Sequence, residues 1–145
     1  MTAAIIERVH ALRVWDSRGR PTIEVAIATR SGTSGRAIAP AGASTGSGEA
    51  VDLRDGGAAF DGLDVARAVA GVNGEIARAL RGLDAADQPL IDRTLIALDA
   101  TPDKRRLGGN ALIATSMAAA HAAATAAGIP LWRHLAGTGQ PGPLP

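Results

Sequence analysis

Ile23, Val25 and Ile27 alternate with Thr22, Glu24 and Ala26, the period-two pattern of a strand with one buried face. Upstream, the stretch from Ile5 to Trp15 is apolar with scattered charges and reads as another strand. Downstream, Arg36-Ala37-Ile38-Ala39 resumes an extended pattern that Pro40 stops. Turn chemistry separates the three. Asp16-Ser17-Arg18-Gly19-Arg20-Pro21 and Ser31-Gly32-Thr33-Ser34-Gly35 combine side chains that bond their own backbone with glycines that relax it. The pattern predicts a three-stranded antiparallel meander.

Beyond residue 60 the period changes. Val65, Val69, Val72 and Ile76 fall on one helical face at steps of four, three and four. Helices are predicted over Leu63 to Leu80 and Ala86 to Leu98, punctuated by Gly82 and Pro89. A third, Gly109 to Ala127, carries His121 as its only potentially charged side chain and is stopped by Gly128 and Pro130. Its nineteen residues are also long enough for a membrane span. Alanine, however, gives little transfer energy, and Asn110, Thr115, Ser116, His121 and Thr125 dilute the apolar surface. A small-residue core helix, buried on most sides, is the better reading. His121 has no His or carboxylate three or four positions away and reads as structural. The expected fold is α+β, a meander followed by a helical bundle.

Composition narrows this further. A length of 145 residues suits one domain and excludes a full eight-stranded α/β barrel of roughly 250 residues. Fifteen basic against fourteen acidic side chains leave a net charge of +1, no field for nucleic acid or an anionic membrane. All the basic residues but Lys104 are Arg, a bias that fits a GC-rich genome and carries no functional weight. Cysteine is absent, which removes disulfides, thiolate nucleophiles and Cys-based zinc sites and fits a cytoplasmic setting. Glu7, Arg8 and Arg13 interrupt the apolar run that a signal peptide would need. The only aromatics are Trp15, Phe60 and Trp132, so the core must be built from Ala, Val, Ile and Leu.

The candidate chemistry lies in Ala41-Gly42-Ala43-Ser44-Thr45-Gly46-Ser47-Gly48, a stretch without a bulky side chain. It is neither common phosphate loop. Five positions after Gly42 stand Ser47 and Gly48 with no Lys, and Gly46-Ser47-Gly48 is followed three residues later by Val51 where a dinucleotide loop has its third Gly. Two readings remain: a surface loop, or a lid that closes over a ligand and adds oxygen donors to a hard cation such as magnesium. Asp52, Asp55, Asp84, Asp87, Asp99 and Asp103 form no paired-acid or facial-triad spacing and read as solvated surface and helix caps. Lys104-Arg105-Arg106 reads as a charged turn.

Several stretches, in order, resemble the N-terminal domain of the enolase family: DSRGRPTIEV (Asp16 to Val25), APAGASTGSGEAVDLRDG (Ala39 to Gly56), VNGEIARAL (Val72 to Leu80), LIALDATPDKRRLGGNALIATSMAAAHAAA (Leu95 to Ala124) and GIPLWRHLAG (Gly128 to Gly137). The resemblance implies a capping domain over 1–137 and a linker or tail over 138–145. In that family the domain caps a C-terminal barrel carrying the lysine base, the glutamate acid and three carboxylates for the first magnesium. The implied reaction is a magnesium-dependent lyase step, 2-phosphoglycerate to phosphoenolpyruvate and water. By motif position Ser44 resembles the serine whose oxygens join the second magnesium, while Gly42 and Ala43 would line the substrate through their backbones. No catalytic residue of the barrel is in this chain, so alone it is expected to be inactive.

Some positions depart from the family pattern. Ala41 replaces a Ser, Arg20 an Asn, Ala100 the Gly of an LDGT motif, Gly109 the Ala of an LGAN motif, and Ala114 a Gly. Leu12 stands where an interface arginine is common, while the acidic partner position, Glu24, is retained. The partners implied are a separate barrel chain, a complete enolase or a second copy of the chain. The alternatives to a working cap are a non-catalytic binding or structural module, a truncated remnant that associates with a complete enolase, and a fragment of an intact enzyme.

Overall fold

The computed structural model describes residues 4–42 and 44–137; Ala43 and the expected tail, 138–145, lie outside them. Strands β1 (Ile6–Trp15), β2 (Pro21–Thr29) and β3 (Ser34–Ile38) form an antiparallel sheet in the order β1-β2-β3. Helices follow, giving the expected α+β arrangement with no barrel among the described residues. Ile23, Val25 and Ile27 are all fully buried, as their alternation requires. The first turn is organised by Asp16, whose carboxylate accepts from the N–H groups of Arg18 at 2.8 Å and Arg20 at 2.9 Å.

β3 begins two residues before the expected Arg36 because Gly35 is a packing residue, not a turn residue. A Cβ there would overlap the backbone of His121 and Ala122 and come within 2.6 Å of the Ala118 carbonyl oxygen. Only glycine lets the long helix lie directly on the strand. That helix, α4 (Gly109–Ala126), buries Ala111, Ala114, Thr115, Ala118, Ala119 and Ala122 against its surroundings. Small side chains bring backbones close, and dispersion between them substitutes for the missing aromatics. Trp15, Phe60 and Trp132 are all exposed. No described helix is long and apolar enough to cross a membrane.

The helix expected from Leu63 starts later, with α1 (Ala66–Gly71), passes through one π-turn at Val72–Ile76, and ends as α2 (Ala77–Leu80). Asp64 is held outside it by Arg13, at 3.0 Å. Asp55 supplies the cap from eleven residues upstream, accepting from the Ala66 and Arg67 N–H groups at 2.8 and 3.0 Å. Val65, Val72 and Ile76 are fully buried on the expected face, with Val69 partly so. α3 (Gln88–Asp99) begins after Asp87, which caps it through the Leu90 N–H at 3.0 Å. A short turn at Ala59–Gly62, left-handed at Phe60 and Asp61, and a final helix, α5 (Leu131–Ala136), carry no patterning signal. Each is too short to show a period.

Candidate functional site

β3 delivers the chain to the glycine-rich loop, and both ends of the loop are fastened. At the entry, the Ala39 N–H donates to the Ile23 carbonyl at 3.3 Å, and the buried Thr22 hydroxyl donates to the Ala39 carbonyl at 2.7 Å. At the exit, the Val51 N–H donates to the Asp103 carbonyl at 2.7 Å, and the Gly109 N–H to the Val51 carbonyl at 2.8 Å. Asn110, in the first turn of α4, then clasps Leu53. Its Oδ1 accepts from the Leu53 N–H at 3.0 Å and its Nδ2 donates to the Leu53 carbonyl at 3.3 Å. Gly108 stands at φ +98, where a Cβ would crowd Asn110 Oδ1 and lie 2.9 Å from Leu53 N.

Between these anchors the loop is nearly free. Gly46 and Glu49 close a small turn, the Glu49 carboxylate accepting from the Gly46 N–H at 2.9 Å. Among the described residues no hydrogen bond ties Pro40–Gly42 or Ser44–Thr45 to the body of the fold. Beneath the loop lies an open cavity of about 870 Å³. Gly42, Thr45 and Ser47 line it from the loop, with Glu49, Asp103 and Arg105 among the charged groups around it. Apolar Ile38, Val51, Ile113 and Met117 line it too, each between 39% and 54% exposed.

Of the residues singled out by sequence, Gly42 is in the cavity wall. Ser44 is exposed on the loop and is not part of the lining. Ala43 lies outside the described residues. Asn110 and Gly108 are positioning residues that the sequence pattern does not single out. The one signal was a polar side chain at the mouth of an otherwise apolar helix.

The turn beneath the loop corrects one expectation. Asp99 is not solvated but fully buried, and it builds the turn from Thr101 to Leu107. Its carboxylate accepts from the Thr101 N–H at 3.0 Å, from the Thr101 hydroxyl, and from the Leu107 N–H at 2.8 Å. Burial pushes its pKa up, but these hydrogen bonds outweigh burial and hold the carboxyl below its ordinary 3.8. Asp103 is likewise held down, by the guanidinium of Arg105. Lys104, Arg105 and Arg106 all find partners within the fold, Arg106 bonding Glu75 at 2.8 Å and the Asp99 carbonyl at 3.1 Å. They form the expected charged turn.

The chain matches the family model described as the enolase N-terminal domain over residues 6–135. It belongs to the enolase family. The enolase of Lactobacillus acidophilus is 54% identical over 137 residues, covering 94% of this chain and 32% of the relative. Enolase 3 of Lactobacillus johnsonii is 55% identical over 138 residues, and enolase 1 of Lactococcus lactis subsp. cremoris 54% over 132, again with 32% of each relative covered. The chain thus spans about a third of the length of these curated relatives. In this enolase domain Leu12 is 51% exposed and stands opposite Glu24 across β1 and β2. The carboxylate of Glu24 turns to Arg36 at 3.9 Å, a loose surface pair.

Magnesium takes oxygen donors, and the loop offers the hydroxyls of Ser44, Thr45 and Ser47. Among the described residues no group of three or more His, Cys, Asp or Glu side chains gathers to hold an ion.

Proposed function

We propose that this domain caps an enolase barrel and supplies the lid of a phosphopyruvate hydratase site, where 2-phosphoglycerate loses water to give phosphoenolpyruvate. The loop carrying Gly42, Ala43 and Ser44 closes over substrate, Gly42 and Ala43 meeting it through their backbones and Ser44 giving its oxygens to the second magnesium. Bound there, magnesium stabilises the negative charge that builds when a proton leaves the carbon beside the carboxylate. The lysine base, the glutamate acid and the carboxylates of the first magnesium belong to the barrel, in the same polypeptide or a separate one. The lid's share is to order the loop, exclude water and fix the substrate's position.

The supporting observation is a loop fastened at Ala39 and Val51, with no hydrogen bond from Gly42 or Ser44 to the body among the described residues, above a cavity of about 870 Å³. The exposed apolar side chains of Ile38, Val51, Ile113 and Met117 around that cavity suit a face covered by a second body. The lack of cysteine agrees with a cytoplasmic setting for this role.

The test is a chimera in which residues 1–137 replace the matching part of the Lactobacillus acidophilus enolase. Phosphoenolpyruvate is followed by its absorbance, with and without Ser44→Ala. An active chimera whose kcat falls about tenfold or more on Ser44→Ala is the expected result. A folded but inactive chimera, or one indifferent to Ser44→Ala, overturns the proposal and favours a non-catalytic module.

A further inference from the structure

Away from the loop, where β1 passes the helix of α1 and α2, two irregularities flank one groove. The β1–β2 register shifts between Ile6 and Arg8, leaving Glu7 as an extra residue. Across from it the helix makes its π-turn at Val72–Ile76. Bulges and π-turns interrupt regular ladders and re-aim side chains, and both recur beside binding sites. The groove has a volume of about 640 Å³, and its lining includes Arg8, Arg78 and Arg81 together with Glu7, Val9 and Asn73.

Three arginines thus line one groove with a single acidic residue, in a chain whose net charge is only +1. None of the three is ion-paired among the described residues. The pairs there join Arg13 to Asp64, Arg36 to Glu24, Arg54 to Asp52, Arg105 to Asp103 and Arg106 to Glu75. All three are exposed to solvent, Arg78 also acting on the Glu75 carboxylate, so a counter-charge brought from outside can reach each of them.

The strand edge adds one N–H donor, that of Val9. Ile6 is closed by the Leu83 carbonyl at 2.8 Å and the Gly82 N–H at 2.9 Å. Ala11 is closed on both its backbone groups by the Asn73 carboxamide, at 2.8 and 3.1 Å. Strand alternation turns the N–H and C=O of Val9 to the same edge, between these two closed points and beside the groove.

We propose that this groove binds a small multivalent oxyanion, a molecule carrying two or more phosphate or carboxylate groups. Guanidinium forks suit such groups because each offers two parallel N–H donors to a pair of oxygens. Arg8 approaches from the strand, Arg78 and Arg81 from the helix and the turn after it, so two separate oxyanion groups are needed to satisfy both walls. The volume suits a metabolite-sized ligand. The proposal is independent of the lid and of any hydratase activity.

The test is a titration of the 15N-labelled 145-residue chain with inorganic tripolyphosphate and, separately, with citrate at low salt. Saturable amide shifts confined to residues 7–9 and 73–81 are expected with at least one of them, and the one that saturates identifies phosphate or carboxylate as the preferred group. Arg81→Gln and Arg8→Gln, one from each wall, should each weaken binding about tenfold. Arg81→Lys, which keeps the charge but loses the fork, should weaken it by a smaller factor. Arg36→Gln removes the same charge from an exposed site on β3 and should leave binding unchanged. Absence of saturation with both anions, shifts scattered over arginines across the surface, or equal weakening by Arg36→Gln and Arg81→Gln would overturn the proposal.

Discussion

The Asn110 carboxamide bonds both backbone groups of Leu53, at 3.0 and 3.3 Å, as a neighbouring strand would. Asn73 repeats the device on Ala11, at 2.8 and 3.1 Å. In each case a short polar side chain satisfies backbone groups that no strand pairs, at a strand edge for Ala11 and in a loop for Leu53. At Asn110 the segment held is the exit of the glycine-rich loop. Asn110→Ala should therefore cost about 1–3 kcal/mol, because both Leu53 groups lose their partner in a partly buried setting. Urea unfolding of the two proteins measures the difference. A loss below about 0.5 kcal/mol would mean that water replaces the carboxamide at no cost.

Ala100 offers the opposite case, a position where the fold tolerates strain. It ends α3 in the left-handed conformation, at φ +58 and ψ 15, its N–H donating to the Ile96 carbonyl at 3.0 Å. A Cβ is disfavoured there, and glycine is the usual residue at such helix ends. Ala100→Gly should stabilise the domain by about 1 kcal/mol, seen as a rise in the midpoint of thermal unfolding. Greater freedom of glycine in the unfolded chain opposes the gain. A fall in the midpoint would show that the unfolded-state term is the larger one.

The elements with a clear period were legible in sequence, and those fixed by distant partners were not. Ile23, Val25 and Ile27 announce a half-buried strand by themselves, and the face formed by Val65, Val72 and Ile76 announces a helix. The start of that helix depends on Asp55, eleven residues upstream of Ala66, and nothing local marks such a cap. Gly35 looks like a turn residue until Ala118 and Ala122 are known to lie against it. Asp99 reads as one surface carboxylate among several, since its burial follows from the fold of the Thr101 to Leu107 turn around it. The loop's small residues were visible from composition. The clasp that fastens its exit came from an asparagine 57 residues beyond the residue it holds.

Acid should act through Asp99. Burial raises its pKa, the hydrogen bonds from Thr101 and Leu107 lower it by more, and the folded carboxyl titrates below 3.8. Between the folded and unfolded values the unfolded chain binds the extra proton, so stability rises with pH through that window. The contribution is complete above about pH 4 and is lost as pH falls through the folded pKa. Asp99→Asn removes it and sets an amide donor near the Leu107 N–H, at a cost of about 1–3 kcal/mol at pH 7. Asp64, Glu75 and Asp103 are lowered as well, so both proteins weaken in acid. The wild-type chain should weaken more, and urea midpoints at pH 7 and pH 3 should converge. A gap between the two proteins that stays constant down to pH 3 would show that the Asp99 proton plays no part.

Hydrogen exchange separates the lid reading from that of a static surface loop. Amides of Gly42, Ser44 and Thr45 have no bond to the body among the described residues, whereas Ala118 and Ala122 sit in the buried middle of α4. Local opening free energies run from near zero in free loops to the full unfolding free energy in a core helix. The three loop amides should therefore exchange at close to the rate of an unstructured peptide, and the two helix amides only through global unfolding. Ligands that hold the loop shut must then supply its ordering, about 1–2 kcal/mol of backbone entropy per residue fixed. In the lid role proposed above, closure would then report a filled site. Equal protection of Ser44 and Ala122 in the isolated chain would mean that the loop is already ordered, and a closing motion would have no place in its function.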